Sequence, residues 1–382
     1  MNAEKLRVMT VFGTRPDTIK MAPVVDALAA HPQIDDIVCV TAQHRQMLDD
    51  LLELFSIEPD YDLDIMTRDQ TLTQITTRVL EGMEPVLKAA KPDVVLVHGD
   101  TTTSSSAALA AFYQQIPVGH VEAGLRTSDR WLPYPEEMNR RITGTIASYH
   151  FAPTALAREH LRAENVAAAD IVVTGNTVID AFLETARRSD LHAPAGWTQL
   201  DPLRPIVVVT AHRRENHAHM QEICEAIREI AQLGRRPQIY WPVHPSPRVA
   251  PIAHETLDGV EGVVLVDPID YAGMVSAVKG ATFVLTDSGG LQEEAPCLGI
   301  PVLVMRTETE RPEGLEAGTL ELVGHRRRRI VDAASRLLTD EAAYARMARA
   351  VNPYGDGRAA DRIVAWLLAR LRGGEYPAPF DG

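Results

Sequence analysis

Short apolar runs alternate with longer amphipathic stretches along the first half of the chain, and most apolar runs end at glycine or polar residues. Such short runs, rich in valine, leucine and isoleucine, are typical of buried strands, whereas the longer stretches have the period of helices. The pattern predicts strands over residues 6–12, 36–41, 93–98 and 117–121. It predicts helices over residues 17–30, 47–54, 72–90 and 104–114. Strands that alternate with helices in this way indicate a parallel, doubly wound sheet.

The second half repeats this alternation after residues 188–205, which are rich in proline and weakly periodic, as is typical of a domain linker. Further strands are predicted over residues 206–210, 238–241, 263–266, 281–285 and 301–305. Further helices are predicted over residues 220–233, 271–278 and 291–298. We therefore predict an α/β protein with two doubly wound, Rossmann-like domains, residues 1–187 and 206–360. We expect the segment 361–382, with its helix over 361–371, to pack back on the first domain.

Polar residues stand at the ends of several predicted strands in the first half. Arg15, Asp100 and Glu122 each follow a strand. Ligands bind at the carboxyl ends of strands in open parallel sheets, so we expect Asp100 and Glu122 to face the same crevice. A third carboxylate, Glu136, lies in the turn-rich segment 132–141. Three carboxylates beside strand ends favour acid–base chemistry, because neighbouring groups can hold separated pKa values.

Each carboxylate also has a purely structural interpretation. Asp100 is placed to cap the helix that follows it. Glu122 and Glu136 lie near arginines with which they would form ordinary ion pairs, namely Arg126, Arg140 and Arg141.

Composition narrows the class of function. The chain has 382 residues, of which 45% are hydrophobic, so it can bury the cores of two domains. Its formal net charge of −14 argues against nonspecific nucleic-acid binding. No apolar run reaches the length of a membrane span, and the first residues lack the features of a secretory signal. Three scattered cysteines suit a reducing cytoplasm, which is the expected location.

The turn Ser288, Gly289, Gly290 separates a predicted strand from a predicted helix. Helix N-termini present unpaired N–H groups, and glycine lets a phosphate approach the backbone, so this turn is a candidate anion site. Glu294 lies one turn into the helix, within reach of a ribose, and Arg311 follows the next strand, where it can meet a phosphate. A plain turn that needs glycine is the alternative.

Other motifs have simpler interpretations. The chain contains no GxGxxG fingerprint, so a nicotinamide or flavin cofactor is not indicated. His212 follows a strand, but its spacing to His217 and His219 matches no standard metal site. The arginine run 326–329 is typical of a solvated face.

Eight motifs, in order along nearly the whole chain, resemble the non-hydrolysing UDP-N-acetylglucosamine 2-epimerases. They are FGTRPDTIKMAP (12–23), VHGDTTT (97–103), HVEAGLRT (120–127), PEEMNRR (135–141), VTGNTVID (173–180), TAHRREN (210–216), TDSGGLQEEAP (286–296) and NPYGDGRAADRI (352–363). The resemblance implies the two-domain glycosyltransferase-B type fold with a UDP-sugar in the interdomain cleft. It also implies a cytoplasmic homodimer that uses no metal and no dissociable redox cofactor.

The resemblance further implies reversible inversion at C2 of UDP-GlcNAc, giving UDP-ManNAc. UDP is eliminated to leave 2-acetamidoglucal and then adds back after protonation of the opposite face. The implied catalytic residues are Asp100, Glu122, Glu136 and His212. The implied substrate-binding residues are Arg15, Lys20, Arg140, Met274, Ser288, Gly289, Gly290, Glu294 and Arg311, with Met274 near uracil and Glu294 on the ribose.

Some bacterial members of this family are activated by a second UDP-GlcNAc. The residues here that resemble that site are Gln43, Gln46, Arg68 and His244. A lining of the cleft without regulation is the alternative. The chain departs from the family pattern at Asp17, where glutamate is usual, in the segment 215–219, and in GHRRRR at 324–329.

Several alternatives remain open. A sister enzyme would act on a modified UDP-sugar, such as a diacetamido uronic acid derivative. A hydrolysing relative would release free ManNAc. A glycosyltransferase of the same fold would need no acid–base pair at C2, and a non-catalytic nucleotide-sugar sensor would need the turn at Ser288 but not the carboxylates.

Overall fold

The computed structural model describes residues 5–42, 45–67, 69–127 and 129–382, with residues 45–47 described by their backbone alone. The chain divides into two compact units. The first comprises Met1–Ala181 and Gly355–Gly382, and the second is the continuous segment Phe182–Tyr354. The stretch predicted as a linker, residues 188–205, contains the 3₁₀ turn Trp197–Gln199.

A parallel sheet forms the centre of the first unit, and seven strands belong to it among the described residues. They are β1 (Leu6–Phe12), β2 (Ile34–Val40), β3 (Tyr61–Asp62), β4 (Val94–His98), β5 (Val118–Val121), β6 (Tyr149–Ala152) and β7 (Ile171–Val173). Their order is β3-β2-β1-β4-β5-β6-β7. The chain moves outward from β1 first to one side and then to the other. The carboxyl ends of β1 and β4 therefore flank the switch point where such folds bind ligands.

Helices cover this sheet. They are α1 (Arg15–Ala29), α2 (Arg45–Leu54), α3 (Leu72–Ala90), α4 (Thr102–Tyr113), α5 (Glu136–Ile146) and α6 (Ala155–Ala163), with α7 (Thr177–Arg187) leading into the second unit. Small residues let α4 lie close to the sheet, because its alanines and serines are all buried. Gly119 in β5 serves the same close packing, since a Cβ there would lie 2.5 Å from Cδ2 of Leu96.

A second parallel sheet, in the order β10-β9-β8-β11-β12-β13, forms the centre of the second unit. Its strands are β8 (Ile206–Thr210), β9 (Gln238–Pro242), β10 (Val263–Val266), β11 (Phe283–Thr286), β12 (Val302–Val304) and β13 (Leu320–Leu322). Its helices are α8 (Met220–Ala231), α9 (Ala250–Leu257), α10 (Tyr271–Lys279), α11 (Gly289–Glu294), α12 (Pro312–Ala317), α13 (Arg327–Thr339) and α14 (Glu341–Ala348). Here the order reverses between β8 and β11, so their carboxyl ends form the corresponding switch point.

The last helix, α15 (Ala359–Arg372), belongs to the first unit and packs against α1. Its Trp366 is 3% exposed and meets the rings of Tyr149 and Phe151 edge-on, at centroid distances of 5.3 and 5.5 Å. The first hydrophobic core therefore includes residues from both ends of the sequence.

The predicted class, two doubly wound α/β units, is confirmed by these two sheets. The main correction concerns residues 132–141, which were predicted to be turn-rich, because helix α5 begins at Glu136. Strands β6 and β7 were not predicted, being runs of only four and three residues. The predicted helix 291–298 is split into α11 and a 3₁₀ turn, Ala295–Leu298, since Pro296 has no N–H to continue the helix. Within the described residues, every helix is too short or too polar to span a bilayer.

Candidate active site

The loop after β4 brings Asp100 to the carboxyl edge of the first sheet. Helix α4 is capped by Thr101, whose Oγ1 accepts a hydrogen bond from the backbone N–H of Ser104 at 3.2 Å. Asp100 is therefore not the cap of this helix. Its carbonyl oxygen accepts a hydrogen bond from Nδ2 of Asn139 at 2.9 Å, which ties the loop to helix α5.

The Asp100 carboxylate lies beside the guanidinium of Arg140, with Oδ2 2.6 Å from Nη2. Burial raises the pKa of Asp100 above its ordinary value, while Arg140 opposes the shift and the nearby carboxylate of Glu122 adds to it. A carboxyl group whose pKa is raised keeps its proton to higher pH. Asp100 is thus suited to serve as a general acid.

Glu122 follows β5 with a φ of 62°, in the left-handed region that residues with side chains rarely adopt. A backbone held there costs about 1–3 kcal/mol and persists only where the surroundings enforce it. Its Oε1 is ion-paired with Nζ of Lys20 from α1 and accepts a hydrogen bond from Nδ2 of Asn176 at 2.9 Å. Both partners donate, so they stabilise the ionised carboxylate and suit Glu122 to serve as a base.

Glu136 and Glu137 are adjacent at the start of α5 but differ in their surroundings. Glu137 is fully buried and accepts a hydrogen bond from Nε of Arg141 at 2.9 Å, with Nη1 of Arg140 at 3.4 Å. In Glu136, Oε2 is buried and has no hydrogen-bond partner among the described residues. Because Glu136 and Arg140 are four residues apart, they share the face of the helix that holds Asp100.

Lys20 and Arg140 join this group through direct contacts, Lys20 with Glu122 and Arg140 with Asp100. Arg15 is the first residue of α1 and is exposed at the same edge of the sheet. The first unit therefore places carboxylates with different ion-pair and hydrogen-bond partners, together with basic residues, at one edge of its sheet.

The second unit builds a network around Asp287, which directly follows β11 and has no exposed surface. Its carboxylate accepts hydrogen bonds from the backbone N–H groups of His212 and Arg213, each at 2.9 Å, and from Nδ2 of Asn216 at 3.0 Å. These bonds hold the loop after β8 against the end of β11. His212 is thereby fixed at the carboxyl edge of the second sheet.

The His212 ring is half-buried, with Nδ1 3.4 Å from Oδ1 of Asp287. Burial lowers the pKa of His212, while Asp287 raises it and both Arg213 and His244 lower it further. The net effect favours the neutral imidazole. The His244 ring stacks on that of His212 with the centroids 5.8 Å apart and the planes at 22°. A residue predicted to bind an activator therefore touches a residue predicted to act in catalysis.

The turn at Ser288 has glycines that the fold itself does not require. A Cβ on Gly290 would meet nothing closer than the Glu294 carboxylate at 3.6 Å, and a Cβ on Gly289 would lie 3.4 Å from the flexible end of Arg213. Neither glycine has a positive φ. The open space beside this backbone is what a phosphate group needs in order to approach the N–H groups.

Arg311 lies beside α11 and is ion-paired with Glu293, whose side chain is 4% exposed. Glu294, the neighbouring residue predicted to bind ribose, is half-buried near Gly290. Met274 is half-buried on α10. The pair of glutamates at the end of α11 thus divides into one that holds Arg311 and one beside the glycine turn.

Some predicted residues lie beyond what the structure describes. Gln43 and Arg68, predicted to bind an activator, are outside the described residues, and for Gln46 only the backbone in α2 is described. His219 stacks on His325 with the ring centroids 3.5 Å apart. In the described part of the chain, no three histidine, cysteine or acidic side chains are arranged to hold a metal ion.

Three residues take part in these networks although the sequence pattern gave them no role: Asn176, Arg213 and Asp287. Asn176 binds Glu122, and Asp287 holds the His212 loop. Arg213 lies beside Gly289, and its Nε is buried without a hydrogen-bond partner among the described residues. The available signal was their position, since each follows a strand within three residues.

Residues 26–368 match the family model described as UDP-N-acetylglucosamine 2-epimerase. The chain is 54% identical, over 371 residues, to the UDP-N-acetylglucosamine 2-epimerase of Escherichia coli strain K12. The aligned region covers 95% of this chain and 98% of that protein. It is similar to the crystal structure of the UDP-GlcNAc 2-epimerase from Neisseria meningitidis bound to UDP-GlcNAc. That likeness has a TM-score of 0.85 and 45% identity, and it covers 95% of this chain and 100% of the other.

Structural similarity, without sequence similarity, reaches a further class of protein. A glycosyltransferase of kitacinnamycin, 13% identical, superposes with a TM-score of 0.64 over 95% of this chain and 99% of its own. The glycosyltransferase-B type of fold implied by the motifs is therefore confirmed, as is the family resemblance itself.

Proposed function

Because the chain belongs to the UDP-N-acetylglucosamine 2-epimerase family, we propose that it is an isomerase that interconverts UDP-GlcNAc and UDP-ManNAc by inverting C2 of the sugar. The observation that carries this proposal is the contrast between Asp100 and Glu122. Burial raises the pKa of Asp100, whereas Lys20 and Asn176 donate to Glu122. One group is set to keep a proton and the other to lack one, as an acid and a base acting on opposite faces of one carbon require.

The chemistry explains why two such groups are needed. The C2 proton is only weakly acidic, because C2 is not adjacent to a carbonyl carbon. Elimination removes that proton as the C1–O bond to UDP breaks, which leaves 2-acetamidoglucal. Protonation of C2 from the other face, with return of UDP to C1, gives the epimer. No oxidation is involved, so we propose that the reaction uses no redox cofactor.

Three carboxylates of the first unit take part in this proposal. Asp100 and Glu122 exchange protons with C2, one on each face. Glu136 assists from α5, where its buried Oε2 has no hydrogen-bond partner among the described residues. Lys20 contacts Glu122 and Arg140 contacts Asp100. A glycosyltransferase would need none of these acid–base groups at C2.

The second unit serves the leaving group. Departing UDP gains negative charge, and fixed donors stabilise such charge most strongly when they are already in place. We assign the diphosphate to the backbone of Ser288, Gly289 and Gly290, because a Cβ at Gly290 would fill space that no protein atom uses. His212, Arg311 and Arg15 complete this set, and Arg213 joins it from its position beside Gly289. Glu294 is assigned to the ribose and Met274 to uracil.

Regulation and assembly extend the proposal. We propose that a second UDP-GlcNAc activates the enzyme through His244, whose ring stacks on His212 and can transmit occupancy to it. Gln43, Gln46 and Arg68 are the other proposed ligands of this activator. We further propose that the enzyme is cytoplasmic and forms a homodimer. Sedimentation of the purified protein tests the proposed dimer.

Proton NMR of UDP-GlcNAc incubated with the protein in D₂O tests the reaction. Deuterium at C2 with UDP-ManNAc appearing is the expected result. Free ManNAc and UDP would instead identify a hydrolysing enzyme. Absence of both exchange and product would reject UDP-GlcNAc as the substrate, and a diacetamido uronic acid derivative of UDP would then be tried in the same assay.

A further inference from the structure

A buried row of titratable groups lies behind Glu122 in the first unit. His98, the last residue of β4, is 2% exposed, and Asp17, in the first turn of α1, is also 2% exposed. The His98 Nδ1 atom is 3.3 Å from Oδ1 of Asp17, and its Nε2 atom is 3.5 Å from Oε2 of Glu122. The row therefore runs from Asp17 through the imidazole to the carboxylate proposed to act at C2.

The neighbouring groups bear on which nitrogen of the His98 ring carries a hydrogen. The Asp17 carboxylate can only accept, and it also receives the hydroxyl of Thr101 at 3.0 Å. A hydrogen on Nδ1 of His98 completes this contact, and the neutral ring then has a bare lone pair at Nε2. This Nε2 has no hydrogen-bond partner among the described residues, although it is buried beside Glu122. A proton on Nε2 would give this buried atom a hydrogen to donate toward Oε2.

The two oxygens of Glu122 contact different groups. Oε1 accepts from the donors Lys20 and Asn176, and Oε2 lies 3.5 Å from Nε2 of His98. Oε2 also lies over Gly99, where a Cβ would come within 3.3 Å of it, so a glycine keeps room for this oxygen. The left-handed backbone of Glu122 holds the carboxylate in this arrangement.

We propose that His98 and Asp17 form a buried proton-holding pair that receives, through Glu122, the proton taken from C2 of the sugar. This inference rests on the proposed function. The C2–H bond breaks, its electron pair forms the C1–C2 double bond as UDP leaves, and the proton bonds to Glu122. The proton then moves from Oε2 to Nε2, which gives an imidazolium facing the Asp17 carboxylate. The reverse transfers return it, so no other reactant is needed.

The charges around His98 support this transfer. Asp17 on α1 and Glu122 after β5 are negative, and Lys20 is positive. The neighbouring ring of His120 in β5 is bonded to the carbonyl of Gly99 at 2.7 Å, and burial lowers the pKa of His120 to about 3, so it stays neutral. The cluster of Asp17, Glu122 and Lys20 carries a net negative charge that one added proton removes. His98 and Asp17 act on the sugar only through Glu122, so they are positioning residues and not catalytic residues.

The pair keeps the C2 proton inside the enzyme while the intermediate is bound. A buried imidazole that takes the proton from Glu122 returns that carboxylate to its ionised form, and it gives the proton back when the reaction runs in reverse. Because the acid on the other face has lost a proton, successive turnovers in one direction still need proton exchange with water.

The test compares the wild type with His98→Gln, which keeps a polar side chain of similar reach but cannot hold the proton. We expect kcat for C2 inversion to fall about tenfold or more, with KM changed less than about twofold. The pH profile of kcat should change, because the proton taken from C2 then has no acceptor beyond Glu122. His150→Gln is the matched control, since His150 is also 2% exposed in the same sheet. It should leave the pH profile unchanged.

Two further measurements keep the outcome decisive. Asp17→Glu restores the residue usual in the family and should retain most of the wild-type kcat. Asp17→Asn should lower kcat as much as His98→Gln does. Nitrogen NMR of the substrate-free wild type, labelled at histidine, should show the Nδ1–H tautomer at His98. The Nε2–H tautomer, or a wild-type pH profile in an active His98→Gln enzyme, overturns the proposal. A wild type that exchanges no C2 hydrogen would instead refute the proposed function.

Discussion

The Nδ1 atom of His212 lies 3.4 Å from Oδ1 of Asp287, and the same carboxylate binds the backbone N–H of His212. One buried side chain therefore fixes both the main chain and the ring of the histidine. Asp287 has no exposed surface, so each of these donors would be left without an acceptor if the carboxylate were removed.

Replacement of Asp287 by asparagine should lower the free energy of unfolding by about 2–4 kcal/mol, because an amide nitrogen cannot accept the donors that the second carboxylate oxygen now binds. Urea denaturation followed by circular dichroism measures the change. Asp258→Asn, an exposed aspartate of the same unit, is the control and should change stability by less than about 1 kcal/mol. Equal effects of the two substitutions would contradict the network described around Asp287.

The glycine turn provides a test that separates folding from binding. Gly290→Ala should leave the melting temperature unchanged, since its Cβ would have 3.6 Å of clearance, and should weaken UDP binding by about tenfold or more. Calorimetric titration with UDP and a thermal melt measure both quantities.

Gly119→Ala should show a different effect. Its Cβ would lie 2.5 Å from Leu96, so we expect a loss of about 1–3 kcal/mol in stability. If Gly290→Ala binds UDP like the wild type, the phosphate assignment is wrong.

Asp100→Asn should reduce turnover by about 10²- to 10⁴-fold, because an amide cannot give or take the proton at C2. Deuterium incorporation at C2 and product formation are measured together by NMR. The exposed Asp35 provides a matched control, and Asp35→Asn should react like the wild type. Nearly full activity of Asp100→Asn would remove this residue from the acid–base assignment.

The pH dependence of stability should reveal Asp180. Burial raises the pKa of Asp180 to about 6, although the backbone N–H groups of Ala360 and Ala359 act in the opposite direction. The folded protein therefore binds this proton more tightly than the unfolded chain, whose aspartates titrate near pH ~3.9. The stabilisation is fully present below about pH 4 and is lost as the pH rises through about 6.

Asp180→Asn mimics the protonated side chain and should remove this dependence. Relative to the wild type, the variant should gain roughly 2–3 kcal/mol between pH 4 and pH 7. Urea denaturation of both proteins at these two pH values measures the difference. A constant difference across the range would show that Asp180 does not titrate as described.

The sequence predicted the strand ends but not the contacts that cross the sheet. Asp100 and Glu122 were visible as polar residues after buried strands, a local pattern that period and burial impose. The choice between Glu136 and Glu137 was visible only through the family motif. Their surroundings depend on where α5 begins, and its start at Glu136 lies within a segment predicted to be turn-rich.

The sequence pattern could not predict contacts between residues that are far apart along the chain. His98 meets Asp17 across 81 positions, and Asp287 meets His212 across 75. Each residue taken alone is an ordinary polar residue near a strand end or a helix start. Only the pairing of strands brings the partners together, and sheet order follows from packing that no local pattern encodes.

The return of α15 to the first unit has a consequence for biosynthesis. A ribosome delivers the chain from its amino end, so the continuous segment Phe182–Tyr354 emerges whole before Trp366 exists to cover Tyr149 and Phe151. The amino-terminal sheet must therefore wait, with an apolar surface uncovered, until the rest of the polypeptide has been translated. In a nascent chain, the core beneath the sheet that carries Asp100 and Glu122 can therefore be completed only after Phe182–Tyr354 has been translated.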